Sequence, residues 1–251
     1  MTVRPSCAEL AGRKTRVSVD DFFSPGNAPI ALGSPSEGVT LRWVTLEASD
    51  DEFARMSSWL APAEHARAAR FSREFLSRRY IVGRAALRWT LADVLGMPPS
   101  AVPIVRGERG RPRLATVTDV DFNVSHTQGV GLIGIARGVR IGVDVEQADR
   151  DVRADGLARK FLTRAEQATL EPLPEAQRRE RFLRYWTCKE AMSKSTGHGL
   201  SAPFRDIEIL LDENIELVRG PAPYSPAQWR LHAVDVPHGY LATLALWSVP
   251  V

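Results

Sequence analysis

Residues 181–200 read RFLRYWTCKEAMSKSTGHGL, and the placement of this stretch decides the fold. At 100° per residue, Phe182, Trp186 and Glu190 fall at i, i+4 and i+8, a slowly drifting stripe that Lys194 continues. That is a helical pattern. Pro172 and Pro174 block its extension backwards and Gly197 and Gly199 close it, so the spacing predicts one long helix over Glu175–Thr196. On an exposed face a Glu–Lys pair at i, i+4 would stabilise such a helix by only a few tenths of a kcal/mol. Here the pair extends an aromatic stripe instead. Glu190 then lies close to the buried face, and a site is expected at the edge of a core.

Upstream, Thr163 and Glu166 form a capping box that opens a shorter helix. Downstream, Ile207–Leu211, Glu216–Arg219, Trp229–Val234 and Tyr240–Trp247 are strand-like. The first half follows the same logic. Val39–Leu46 reads as a strand, Asp50 and Asp51 open a helix carrying Phe53, Met56 and Leu60, and Pro62 starts another. Glu74–Leu95 is a second long helix, with Tyr80, Ala86, Leu87 and Leu91 inward and Gly96 and Pro98 at its end. Short strands follow at Val102–Arg106, Phe122–Ser125, Val130–Ala136 and Arg140–Glu146. Strands in hairpin-length succession argue an α+β fold rather than a parallel α/β sheet. No residue-level repeat is visible between the halves, so any duplication is architectural. The expected organisation is a Ser/Pro/Gly-rich flexible leader over 1–38, an N-terminal α+β half over 39–136 and a C-terminal α+β half over 137–251. No linker-like composition separates the halves, which should pack tightly.

The 251 residues are 44% hydrophobic and 25% charged, which excludes collagen-like, coiled-coil and wholly disordered chains. No run approaches the ~18 consecutive apolar residues of a membrane helix. The N-terminal residues lack the apolar core of a signal peptide, and a cytoplasmic protein is expected. Cys7 and Cys188 are too few for a disulfide framework. A net charge of +3 favours anionic partners without the charge blocks of nucleic-acid arms. Of the 33 basic residues 29 are Arg, so Lys189 and Lys194 stand out by rarity.

Three further stretches carry chemistry. In IGVDVE (141–146), strand alternation turns Asp144 and Glu146 to one side and Val143 and Val145 to the other. Two carboxylates about 7 Å apart on one strand suit a hard cation such as Mg²⁺, or are two solvated acids on a half-exposed strand. In FNVSHTQG (122–129), Asn123, Ser125 and His126 offer donors for phosphate oxygens, or form a polar turn with an exposed His. Ser125 and His126 are not a nucleophile–base pair, because adjacent strand residues point apart, so serine hydrolysis is rejected. Arg106 to Arg113, with Arg78, Arg79 and Arg84 on the preceding helix, could present guanidinium groups to phosphates or form a solvated face.

FNVSH, IGVDVE and RFLRYWTCKEAMSKSTGHGL, in that order, resemble the motifs of the 4′-phosphopantetheinyl transferase superfamily, in its longer surfactin-synthetase-activating (Sfp-like) branch. The resemblance spans residues 40–247, with Arg79, Gly83, Arg84, Leu87 and Gly110-Arg111-Pro112 as weaker matches; Arg111 stands where the family more often has lysine. It implies a single-chain pseudo-dimer of two similar halves, each a long helix on a small mostly antiparallel sheet, with coenzyme A in the cleft between them. A monomer is implied, with no nucleic-acid or membrane partner. The implied activity moves the phosphopantetheine arm of coenzyme A to a serine of an apo acyl, polyketide or peptidyl carrier protein, releasing adenosine 3′,5′-bisphosphate. By resemblance Asp144, Glu146 and Glu190 would hold Mg²⁺ (or Mn²⁺), and Lys194 would face the diphosphate. Arg79, Arg111, Asn123, Ser125 and His126 would hold the adenosine and 3′-phosphate end. Glu190 or a metal-bound water would take the serine proton. Acidic carrier helices would suit a net-basic surface. A Mg²⁺-dependent phosphoesterase or nuclease using the same acids is the rival enzyme, and an inactive carrier-binding module the rival without chemistry.

Overall fold

The computed structural model describes residues 28–107 and 110–249. Strands β1 (Ile30–Leu32) and β2 (Val39–Thr45) lead into helices α1 (Asp50–Ser57), α2 (Pro62–Ala68) and α3 (Glu74–Leu95). A short hairpin follows, β3 (Ile104–Arg106) and β4 (Pro112–Leu114), then β5 (Val120–Thr127), β6 (Val130–Arg137) and β7 (Arg140–Gln147). Helices α4 (Ala154–Phe161), α5 (Arg164–Leu170) and α6 (Glu175–Thr196) precede the hairpin β8 (Glu208–Leu211) and β9 (Ile215–Arg219), and β10 (Trp229–Ala233) and β11 (Tyr240–Trp247) finish the fold. This is the expected α+β class. Both long helices have the expected bounds, and each ends in a left-handed glycine, Gly96 and Gly197.

Three elements differ from the sequence reading. Residues 30–32 form a strand on the edge of β2, where loop was expected, and the rest of the expected leader, residues 1–27, lies outside the described residues. The short β4 and helix α4 were also missed: β4 has only three residues, and α4, eight residues long, opens at Arg153 without a capping side chain.

Two antiparallel sheets stand back to back, ordered β1-β2-β6-β5 and β10-β11-β7. Among the described residues no backbone ladder joins a strand before residue 138 to one after it. Side chains close the seam instead. Asp121 Oδ2, Asn123 Oδ1 and Ser125 Oγ, alternate residues of β5, accept the amides of Ile141, Val143 and Val145 on β7 at 2.9, 3.0 and 3.3 Å. Val143 and Val145 fill the core between the sheets with Leu41, Trp43 and Leu132, as the alternation predicted. The opposite face of β7 lies under α6. A Cβ on Gly142 would overlap the Ala191 carbonyl oxygen and stand 2.8 Å from the Ser195 nitrogen, so helix and strand touch through backbone there.

The halves also share a buried ion pair that the sequence reading did not see. Glu64, third residue of α2, accepts the Ala61 amide at 2.8 Å and Arg88 Nε at 2.7 Å. Glu166, third residue of α5, accepts the Thr163 amide at 2.7 Å and Lys189 Nζ at 2.8 Å. Counting from Glu74 and Glu175, both cations are the fifteenth residue of a 22-residue helix. Each also donates to carbonyls beyond its helix, Arg88 to Pro99 and Val102, Lys189 to Phe204 and Ile207. The duplication therefore does reach single residues. Different cations at the two positions hide it from a search for identical letters. Lys189 is a strut, and Thr163 closes its capping box by accepting the Glu166 amide at 3.2 Å. Thr163→Ala is expected to cost about 1 kcal/mol, a fall of roughly 2–4 °C in Tm measured by calorimetry.

Candidate active site

A cavity of about 510 Å³ opens between β5, β7, α4 and α6. Its polar wall carries Ser125, His126, Asp144, Glu146, Arg150, Glu190 and Lys194, and its apolar wall Val152, Leu157, Phe161, Trp186 and Leu200. The stripe on α6 explains this division. Phe182 is buried and stacks with Trp186, whose ring lies 4.9 Å from Phe161; one and two turns further along, Glu190 and Lys194 reach the polar wall.

Lys194 Nζ donates to Ser125 Oγ at 2.8 Å and to Asp144 Oδ1 at 2.6 Å, and Ser125 Oγ donates to the same carboxylate oxygen at 2.8 Å. Glu146 is paired with Arg150, four residues on and past the end of β7. Two carboxylate oxygens in this wall are buried with no hydrogen-bond partner, Asp144 Oδ2 and Glu190 Oε1. A buried acceptor without a donor costs roughly 1–3 kcal/mol, so a pair of them in one cavity marks a place shaped for something else. Burial pushes the Glu190 carboxyl above the usual carboxylate range, Lys194 pulls it back, and Asp144 and Glu146 push it further. Glu146 is likewise raised, first by burial and then by Asp144. At the rim, desolvation and then the Lys194 ammonium hold His126 below its usual value, so near neutral pH the ring offers a hydrogen bond rather than a charge.

Five of the residues read from sequence thus line one pocket with Lys194: Ser125, His126, Asp144, Glu146 and Glu190. Three sit elsewhere. Asn123 is buried and spent on the Val143 amide. Arg111 is folded into the seam, paired with Asp121. Arg79 pairs with Glu47 at 3.0 Å, beside Gly129 in the β5–β6 turn. Arg109, in the basic run, lies outside the described residues. Arg150 and Phe161 escaped the sequence reading: Arg150 lies past the end of β7, where a spacing of four from Glu146 carries no pairing signal.

The three acids share the cavity without forming a closed cage: among the described residues no group of three or more His, Cys, Asp or Glu stands in metal-holding geometry. The donor chemistry nevertheless fits a hard cation, since the two orphaned atoms are carboxylate oxygens.

Family comparisons match this layout. Residues 140–245 match the 4′-phosphopantetheinyl transferase superfamily, and residues 43–135 the N-terminal domain of 4′-phosphopantetheinyl transferases. The chain is 34% identical over 192 residues, 74% of its length and 81% of the relative's, to the 4′-phosphopantetheinyl transferase HetI of Nostoc sp. PCC 7120. It belongs to the 4′-phosphopantetheinyl transferase superfamily. This transferase is also 24% identical over 188 residues to Sfp of Bacillus subtilis, covering 74% of one chain and 83% of the other. The structure of holo-[acyl-carrier-protein] synthase from Neisseria meningitidis matches 43% of the transferase chain and 96% of its own, at 21% identity and a TM-score of 0.36. Both halves of the transferase carry family sequence, so the cavity lies where matched segments meet: β5 belongs to one and β7 and α6 to the other. No helix among the described residues is long and apolar enough to cross a membrane.

Proposed function

We propose that this transferase uses the β5–β7–α6 cavity to move the phosphopantetheine arm of coenzyme A to the serine of an apo carrier protein. The carrying observation is the pair of unpartnered buried oxygens, Asp144 Oδ2 and Glu190 Oε1, beside the Lys194 ammonium. The serine Oγ attacks the phosphorus that bears the arm. As the Oγ–P bond forms, the bond from that phosphorus to the bridging oxygen breaks, and adenosine 3′,5′-bisphosphate leaves. Glu190 takes the serine proton through its carboxylate. Lys194 meets the charge that gathers on the leaving diphosphate oxygen. Ser125 holds the ammonium in place, and neutral His126 donates to a phosphate oxygen at the rim.

Asp144, Glu146 and Glu190 would hold Mg²⁺, or Mn²⁺ in its place, which when bound neutralises the diphosphate and polarises the phosphorus under attack. Two unit charges 4 Å apart repel by about 4 kcal/mol at an effective dielectric of 20, so acids facing a diphosphate require a cation between them. Glu146 meets Arg150 through Oε1 alone, which leaves its other oxygen for the cation. The same three acids would serve a phosphoesterase, but the match to transferase models over both halves favours transfer.

Mass spectrometry tests the reading. Incubated with coenzyme A, Mg²⁺ and apo carriers of the fatty-acid, polyketide and peptide types, the protein should add one phosphopantetheine to a carrier serine. Chelation of the metal should stop the addition and restored Mg²⁺ should recover it. A panel with no mass gain on any carrier overturns the proposal.

A further inference from the structure

The last turn of α6 carries Lys194 and ends in carbonyl groups that no intrahelical amide can reach. Two guanidinium groups stand there. Arg111 Nε donates to the Lys194 carbonyl at 2.9 Å, and Arg140 Nη2 lies 3.5 Å from the Ser195 carbonyl. One carboxylate gathers both arginines. Arg111 meets Asp121 through both arms at 2.8 Å, and Arg140 Nε is 3.5 Å from Asp121 Oδ2. Arg111 Nη2 also donates to the carbonyls of Phe122 at 3.1 Å and Ile141 at 2.8 Å. All three nitrogens of Arg111 are therefore engaged, and its side chain is 11% exposed.

Positive charge at a helix C-terminus opposes the negative end of the helix dipole, and only a planar fork can grip a carboxylate and flanking carbonyls at once. The elements involved matter more than the energy. Arg111 and Asp121 come from the first half of the chain, whereas the helix they cap belongs to the second. We propose that Arg111, held by Asp121, is a positioning residue that fixes the last turn of α6, so that Lys194 stands against Ser125 and Asp144, and that its side chain does not touch coenzyme A. This rests on the reading of Lys194 as the partner of the diphosphate, and it replaces the expectation that Arg111 binds a phosphate.

Arg111→Lys and Asp121→Asn, each assayed with coenzyme A and with coenzyme A lacking its 3′-phosphate, separate the two roles. Lysine keeps the charge but loses the fork. Both variants should lower kcat by about 10- to 100-fold, the scale of a small misplacement of a reacting group, with KM for coenzyme A changed less than threefold. The loss should be equal for the two substrates. A KM effect that exceeds the kcat effect, a loss that vanishes without the 3′-phosphate, or an unchanged kcat in either variant overturns the assignment. Should either variant fail to fold, Arg140→Gln removes only the outer member of the cluster. It should lower kcat severalfold at constant KM, and a wild-type kcat there overturns the assignment equally. Transfer by the unaltered protein in the same assay separates failure of this role from failure of the proposed function.

Discussion

Glu190→Gln is expected to lower transfer by about a thousandfold, in the range for loss of a general base, while leaving the protein more stable at neutral pH. The substitution keeps the size of the side chain. What it removes is an ionised group whose Oε1 is buried without a donor and whose pKa burial has raised. A carboxyl with a raised folded pKa binds its proton more tightly in the folded state than in the unfolded one. Its contribution to stability is therefore greatest at low pH, and fades as pH climbs from the ordinary glutamate range through the elevated folded value. Glutamine cannot lose a proton, so the variant should melt above the parent once that window is passed. In acid the two should converge. Calorimetry across this range, alongside a mass-spectrometric transfer assay, reads both effects. Near-normal turnover in the variant would show that Glu190 is not the base.

Gly142→Ala should damage stability and transfer together. The added methyl group meets backbone on α6, the Ala191 carbonyl oxygen and the Ser195 nitrogen, and neither can rotate away. Overpacking commonly costs 1–3 kcal/mol, and with backbone as the obstacle about 3 kcal/mol or more is expected. For a chain of this size that is a fall of roughly 6–12 °C in Tm. Any shift that relieves the overlap parts α6 from β7, and with it Lys194 from Asp144, so transfer in the surviving folded fraction should drop by about a hundredfold. Gly134→Ala supplies the contrast. Its Cβ would crowd side chains rather than backbone, Ile141 and Val143 at 2.8 and 2.7 Å, so it should cost stability without parting α6 from β7. Thermal melts of both variants test the distinction, and a Gly142→Ala protein that melts and transfers like its parent would remove the close contact from the account.

Much of this architecture is legible in the letters because the signals are periodic or terminal. The bounds of α3 and α6 follow from their glycine stops, and the faces of Asp144 and Val143 from strand alternation. The convergence of Glu190 with Asp144 came through the family resemblance, since nothing local in either stretch says that they meet. Asn123 shows the converse failure. Its donors and acceptor suit a phosphate, yet an amide that lacked a sheet partner claimed its oxygen, and strand pairing across a seam has no signature in a single stretch. Arg111 is hard to read for a related reason. A guanidinium in a glycine turn resembles an anion site until Asp121 is seen to fill it. The Glu64–Arg88 and Glu166–Lys189 pairs needed the structure because they match in position and charge rather than identity.

Where β5 meets β7, three side chains do work that main-chain atoms do in an ordinary sheet. A main-chain ladder is indifferent to which amino acids it joins, whereas this junction depends on an aspartate, an asparagine and a serine, each in its own place. The angle between the two halves of the molecule, and so the width of the cleft, thereby leans on three named side chains. Natural variation at 121, 123 and 125 could reshape the cleft in small steps without disturbing either sheet.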